Sequence, residues 1–257
     1  MKYGIIELSV VPGRAEASDK SEMITQLLFG EIFTIIEAKE KFVKVKNHFD
    51  GYECWICKKQ YKKLSQGDFD SLTRLPYHCS TDLVHVIKYK NNLLPIIQGS
   101  TLPFFNEGTF KIGTEIIPFE GSFSNPSDPK IKSKIVEDAF MYLNAPYLWG
   151  GKSPFGIDCS GFTQIVYKIN NIVIPRDAHQ QAKLGEGYSF IEEAEEGDLA
   201  FFDNDEGKIT HVGILLGNNK IIHASGKVRI DTLDHQGIYN AESNSYSHNL
   251  RIIKKII

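Results

Sequence analysis

No stretch of this chain stays apolar long enough to cross a bilayer as a helix, which argues against an integral helical membrane protein. Charge of one sign is not in excess. The 29 basic and 32 acidic residues leave a net −3 over 257 positions, so no basic footprint for nucleic acid is expected. The first eleven residues are too short in their apolar part, and Glu7 interrupts them. No signal peptide is read there, and the cytoplasm is the expected compartment. Cysteine is sparse, with four residues at 54, 57, 79 and 159. The single Cys-x-x-Cys, from Cys54 to Cys57, has no second pair to complete a zinc site. On a strand, residues three apart point to opposite faces, so these two sulfurs diverge. Cys79 follows His78, and two adjacent residues make a weak ligand pair. Neither a metal nor a cofactor is expected.

What remains is an ordinary globular composition, 42% hydrophobic and 24% charged. Residues 1–66 read as short strands (3–8, 23–28, 32–38, 42–46, 51–57) separated by turn signals at Pro12-Gly13, Phe29-Gly30 and Asp50-Gly51. That spacing suggests a small β-barrel. Residues 67–125 begin as a polar linker and return to β character (83–89, 93–97, 109–112, 115–119), as a second small β module that is no obvious repeat of the first. Asn125-Pro126-Ser127-Asp128-Pro129 marks a boundary. Asp128 is expected to cap a helix with Pro129 in its first turn, and Ile131, Ile135, Val136, Ala139, Phe140 and Leu143 share one face of it. Within 126–257 the helices come first and the strands follow, which predicts an α+β domain with an antiparallel sheet.

Cys159 stands out. It follows a glycine-rich loop and opens a run in which Phe162, Ile165, Val166 and Ile169 keep helical spacing. A helix start offers unpaired N–H groups and the positive end of the dipole, both of which favour a thiolate. A cysteine nucleophile needs a base, and the base needs an orienting group. His211 and His223 lie six residues either side of Gly217 in an expected hairpin, 210–216 with 220–224. An odd loop centred on Gly217 pairs them directly on one face; an even loop sends them to opposite faces.

Several motifs then occur in order: Trp149-Gly150-Gly151, Asp158-Cys159-Ser160-Gly161-Phe162, Gly197-Asp198-Leu199-Ala200-Phe201-Phe202, His211-Val212-Gly213-Ile214 and His223-Ala224-Ser225. Together they resemble the NlpC/P60 cysteine peptidases over 126–257. The segment from Asp50 to Ile56 resembles the Gly-Tyr-x-Gly-Trp strand of bacterial SH3-like domains, with Cys54 in place of the glycine. The resemblance implies a papain-like α+β catalytic domain preceded by one or two SH3-like β-barrels. It implies Cys159 as nucleophile, His211 as general base and His223 as the group that orients it. Acyl transfer through a thioester would follow, with the oxyanion held by the Cys159 N–H. Asp158 and Ser160 flank the nucleophile and read either as substrate contacts or as helix caps, and Trp149 is expected to contact substrate.

SH3-like modules ahead of such a domain resemble the γ-D-glutamyl-L-diamino acid dipeptidyl-peptidases of that family. These release L-Ala-γ-D-Glu from free peptidoglycan stem peptides, cutting before meso-diaminopimelate or L-lysine. By that resemblance Arg176-Asp177-Ala178 matches an Arg-Asp-Ser motif, with Asp177 as the anchor for the substrate's free amino group, or else as the N-cap of a helix over 178–184. The resemblance also asks the first module for a carboxylate, for which Glu53 is the candidate, and for a tyrosine, Tyr77 or Tyr89. Peptidoglycan stem peptides are therefore the expected partners, with no nucleic acid and no membrane. The competing readings are a secreted endopeptidase acting on intact wall and an inactive wall-peptide binding module.

Overall fold

The computed structural model describes residues 2–188 and 190–257. The chain divides into two compact units, Met1–Asp128 and Pro129–Ile257.

The first unit holds β1 (Tyr3–Ile5), β2 (Val10–Arg14), β3 (Met23–Leu28), β4 (Ile32–Ala38), β5 (Phe42–Asn47), β6 (Glu53–Cys57), β7 (Lys62–Leu64), α1 (Gln66–Leu72), β8 (Val84–Tyr89), β9 (Asn92–Ile97), β10 (Thr109–Ile112) and β11 (Glu115–Pro118). Its sheet runs β3-β2-β6-β5-β4-β1-β7. The alternation read in Phe42-Val43-Lys44-Val45-Lys46 is real: Val43 and Val45 face a core with Ile6, Val11, Phe33 and Ile56, while Lys46 is exposed. Cys54 is buried in that core and Cys57 is half-buried, as expected for strand residues three apart, and no group of metal-ligating residues occurs among the described residues. The expected second barrel takes another form. β8–β9 and β10–β11 are separate two-stranded hairpins. Their Ile87, Ile96, Phe110 and Ile117 share one apolar core with Ile5, Phe29, Ile32 and Leu64 of the first module. A lone hairpin cannot bury enough surface to stand by itself, so the shared core is what stabilises both.

The second unit holds α2 (Lys132–Phe140), β12 (Lys152–Ser153), β13 (Gly156–Ile157), α3 (Cys159–Ile169), α4 (Ala178–Gln181), β14 (Glu186–Gly187), β15 (Leu199–Asp203), β16 (Ile209–Gly217), β17 (Lys220–Ser225), β18 (Lys227–Leu233), β19 (Gly237–Asn240) and β20 (Ser245–Lys255). The helix expected from Asp128 begins later. Its N-cap position is Ile131, and only Ile135 and Ala139 of the expected face are fully buried, while Phe140 and Leu143 remain exposed. The start is fixed by tertiary contact instead. Lys132 Nζ bonds Asp198 Oδ1 at 2.6 Å, and Asp198 Oδ2 also accepts from Tyr188 Oη at 2.8 Å and the Glu195 N–H at 2.9 Å.

Strands β20-β15-β16-β17-β18-β19 pair in that order, and β19 pairs back onto β20, so these antiparallel strands close a ring. Ala200, Phe202, Leu215, Ile221, Leu233, Ile238 and Ile253 form one core of it. Every residue of α3 is buried, and the helix packs against β16 and β17. The ring closes through a tight approach at Gly237, whose φ is +145° and where an added Cβ would lie 1.9 Å from the His248 carbonyl oxygen. Gly237→Ala should therefore destabilise the unit by about 1–3 kcal/mol, the cost of forcing a side chain into disallowed backbone. Thermal unfolding reads this as a lowered Tm, and an unchanged Tm would show that the strand pair gives way freely.

Candidate active site

Cys159 is the first residue of α3, and Asp158 is its N-cap. The Asp158 side chain accepts from the Gly161 N–H (2.7 Å) and the Gly150 N–H (2.8 Å). Arg176 closes a fork on it, with Nη1–Oδ1 at 3.0 Å and Nη2–Oδ2 at 2.6 Å. Asp158 is 6% exposed and Arg176 2%. The glycines have a concrete reason here: a Cβ on Gly161 would lie 2.3 Å from the Gly151 oxygen. The expectation that Asp158 touches substrate is corrected by this geometry. Both its oxygens are turned inward, so it caps α3 and holds the 148–151 loop to it. Ser160 is likewise buried, its Oγ accepting from Arg176 Nη1 at 2.8 Å.

The hairpin of β16 and β17 departs from expectation in its turn and keeps the expected outcome. The loop is Asn218-Asn219, both with positive φ, closed by the Gly217–Lys220 pair. Such a two-residue loop, continued regularly, would put His211 and His223 on opposite faces. A bulge between Leu215 and Gly217 inserts one residue and shifts the register so that Gly213 pairs with His223. His211 is then diagonal to His223 on the same face. His211 Nε2 lies 2.8 Å from His223 Nδ1, and both rings are buried.

The chain continues beyond the expected pair. His223 Nε2 lies 2.9 Å from Asp231 Oδ2, and Asp231 Oδ1 accepts from Arg229 Nη2 at 3.0 Å. Burial pushes the Asp231 carboxyl up, but the hydrogen bonds from His223 and Arg229 outweigh it and hold it below the ordinary carboxylate range. Asp231 was missed by sequence reasoning. The available signal was strand period: His223 pairs with Arg229, so a residue two further on returns to the same face.

A carboxylate only accepts, so the tautomers follow from the hydrogen-bond chain. Asp231 takes His223 Nε2–H, His223 Nδ1 takes His211 Nε2–H, and His211 Nδ1 is left with its lone pair. That nitrogen is the one able to accept a proton. Burial, then the charges of His223 and His248, lower the His211 pKa well below 6.5. The thiol is held close by: the N–H of Val212, the residue after His211, and that of Ser160 hydrogen-bond Cys159. Burial pushes the thiol up to about 12, the Asp158 charge adds to this, and the two N–H groups and Arg176 act against it. The thiolate expected from the helix start is thus opposed by desolvation, and the proton leaves when a base receives it.

One further side chain interacts with Cys159. Tyr147 is half-buried, and its hydroxyl is pushed up to about 12 by burial and then by the charges of Cys159 and Asp158, so it remains a hydrogen-bond donor. Trp149 is exposed on the loop that Asp158 secures. Asp177 precedes α4 and makes no side-chain cap bond to it, so its capping alternative is not realised. Its backbone is fixed beside α3, because Gln181 Nε2 donates to the Ser160 oxygen at 3.0 Å and to the Pro175 oxygen at 2.8 Å. Expected to span 178–184, α4 ends at Gln181. In the first unit, Glu53 is exposed and paired with Lys44 at 2.9 Å. Tyr89 is buried with its hydroxyl on Glu7, whereas half-buried Tyr77 packs against His48 and Phe49.

Comparison with known proteins places the chain among peptidase relatives. Residues 144–245 match the profile of the NlpC/P60 family, and residues 13–60 match that of the bacterial dipeptidyl-peptidase SH3 domain. A γ-D-glutamyl-L-lysine dipeptidyl-peptidase of Bacillus subtilis is 34% identical over 246 residues, covering 85% of this chain and 78% of its own. Dipeptidyl-peptidase 6 of Lysinibacillus sphaericus is 27% identical over 253 residues, covering 86% and 88%. The crystal structure of an NlpC/P60 family protein from Bacillus cereus superposes with a TM-score of 0.82 at 24% identity over 99% of both chains, a likeness of fold.

Two outcomes follow from the relay. Asp231→Asn keeps the shape but can donate to His223, which reverses the tautomers; kcat should fall by about 100-fold, the low end of what a positioned general base supplies. A steady-state kcat within twofold of wild type would remove Asp231 from the relay. The second outcome concerns pH. His211 must be unprotonated to accept the thiol proton, and its pKa lies well below 6.5. The acid limb of a kcat/KM profile should therefore fall below pH 6.5, and an inflection above that value would contradict the buried base.

Proposed function

The chain belongs to the NlpC/P60 family, and from that premise we propose that it is a cysteine peptidase hydrolysing the γ-D-glutamyl–diamino acid bond of free peptidoglycan stem peptides, releasing L-Ala-γ-D-Glu. The observation that carries the reading is the hydrogen-bond chain Asp231–His223–His211 behind a cysteine at a helix start. It supplies a base with a defined lone pair, which acyl transfer requires and a passive binding module does not.

The steps follow from these residues. His211 Nδ1 takes the Cys159 proton as sulfur attacks the γ-glutamyl carbonyl. The negative charge on the carbonyl oxygen is met by the Cys159 N–H at the start of α3 and by the Tyr147 hydroxyl. His211 then passes the proton to the leaving amine of the diamino acid. A water molecule, deprotonated by the same nitrogen, hydrolyses the thioester and restores the thiol.

Asp177 is the group we assign to the substrate's terminal ammonium. It is half-buried, and it stands in Arg176-Asp177-Ala178, the segment that resembles the Arg-Asp-Ser motif of such peptidases. A free terminal ammonium offers a carboxylate an ionic contact that a blocked amine does not, which favours free peptides over polymeric wall. The names of the dipeptidyl-peptidase relatives support this substrate class, and L-lysine is the diamino acid in the B. subtilis relative's name. The cytoplasm is the compartment we propose for the hydrolysis of free stem peptides.

The test is a pair of tripeptides, L-Ala-γ-D-Glu-L-Lys and its N-acetyl form, with their diaminopimelate counterparts. Mass spectrometry follows dipeptide release, and Cys159→Ala is the blank. Only the unblocked peptides should be cut. Asp177→Asn should lower kcat/KM on them by about tenfold, or about 1.4 kcal/mol of charge pairing at a half-buried site. Equal cleavage of acetylated and free peptide would overturn the anchor and turn the reading toward a wall endopeptidase.

A further inference from the structure

Three aromatic rings from three different strands surround the catalytic base, and two of them have no place in the mechanism so far. Phe202 on β15 lies 5.7 Å from the His211 ring centre, and His223 on β17 lies 5.0 Å away, edge-on at 87°. His248 on β20 is different: it stacks on the His211 face at 4.0 Å with an interplanar angle of 25°. It also lies beyond the last residue of the family match, 245. We propose that His248 is a positioning residue that holds the His211 imidazole in the plane where Nε2 meets His223 and Nδ1 meets the thiol.

The backbone that delivers His248 is built for it. His248 pairs with Ile238, and a bulge follows between Ile238 and Tyr239. The bare Cα of Gly237 lets the His248 carbonyl approach where a Cβ would lie 1.9 Å from it. Ser247 Oγ lies 2.8 Å from His248 Nδ1 and fixes the ring's rotation. Phe202 lies 6.0 Å from the His248 centroid, tilted at 65°, and backs the stack.

Stacking also has an electrostatic consequence. His211 becomes a cation when it takes the thiol proton. A neutral ring on its face tolerates that charge, whereas a second cation would oppose it. The charged and titratable groups that act on His248 are His223 from β17 and Asp231 from β18, with His211 beneath it. Burial, and then His223, lower its pKa to about 4 against a smaller upward pull from Asp231. The ring is therefore neutral near neutral pH.

The inference rests on the peptidase reading for its importance, but its test does not need a peptide. Alkylation of Cys159 by iodoacetamide reports the thiol and its base directly, and can be followed against pH in wild type, His248→Ala and His248→Phe. Alanine removes the ring and should slow alkylation at neutral pH by about tenfold, a fraction of the effect of a general base, and move the acid inflection. Phenylalanine keeps a flat neutral ring and should restore most of the loss. In peptide assays the alanine variant should lower kcat with KM unchanged. Circular dichroism and thermal unfolding check that each variant is folded. A folded His248→Ala with the wild-type alkylation profile would overturn the proposal, and so would a folded His248→Phe as impaired as alanine. If alkylation behaves as expected but no stem peptide is cut, the substrate reading fails and the positioning role stands.

Discussion

The buried ion pair of Arg176 and Asp158 is the interaction on which the catalytic unit depends. Taking two charges out of water costs several kcal/mol each, and geometry alone can offset it. Here the offset is complete at the carboxylate: two backbone N–H groups and a forked guanidinium meet its two oxygens. Those donors come from the 148–151 loop, the first turn of α3 and the segment leading to α4. One carboxylate thus fastens three separate pieces of chain around the nucleophile. Loss of either partner leaves a buried charge unmet, at about 3–5 kcal/mol, so this pair is both a scaffold and a point of fragility.

The second constraint is parity. A strand shows its side chains to alternate faces, so one residue more or less decides whether two histidines meet. Positive φ at both Asn218 and Asn219 satisfies the turn, and taken alone that turn separates His211 from His223. The bulge at Leu215–Gly217 restores the match. Bulges of this kind beside a site are devices for aiming a side chain. Asp231 then needs only ordinary strand period, whereas His248 arrives through a second bulge, between Ile238 and Tyr239, and a glycine at the ring closure.

Much of this was legible in the sequence, for physical reasons that differ by element. The α3 start was readable because apolar spacing and a capping aspartate are local properties, and the β16–β17 hairpin because Gly217-Asn218-Asn219 is a strong turn signal. The face shared by the histidines was reached through a loop of the wrong parity, since a bulge leaves no mark in local propensity. Asp158 was ambiguous because a cap and a substrate contact ask for the same residue type, and only the partner Arg176, eighteen positions away, decides it. The α2 start was misplaced because Asp128-Pro129 carries the local signature, whereas Lys132 reaches Asp198 across the fold. His248 could not be found from the hairpin, as it belongs to a strand thirty-seven residues after His211 that arrives only when the ring closes.

Burial sets the electrical state in which the site waits. It raises the Cys159 thiol and lowers the His211 imidazole, so both are pushed toward their uncharged forms. The helix start and the Val212 N–H pull the sulfur the other way without prevailing. A free site held in this condition does not keep a buried charge separation, which a low-dielectric surrounding would penalise. Charge appears only as sulfur meets a carbonyl, when the oxyanion and the imidazolium form together among donors already in place. The relay to Asp231 matters at that moment, because the new positive charge on His211 is stabilised by hydrogen bonds through His223 to a carboxylate that His223 and Arg229 keep ionised. A neutral ring at His248 leaves that path unopposed. The same burial that makes the thiol inert in isolation therefore strengthens each interaction that the transition state acquires.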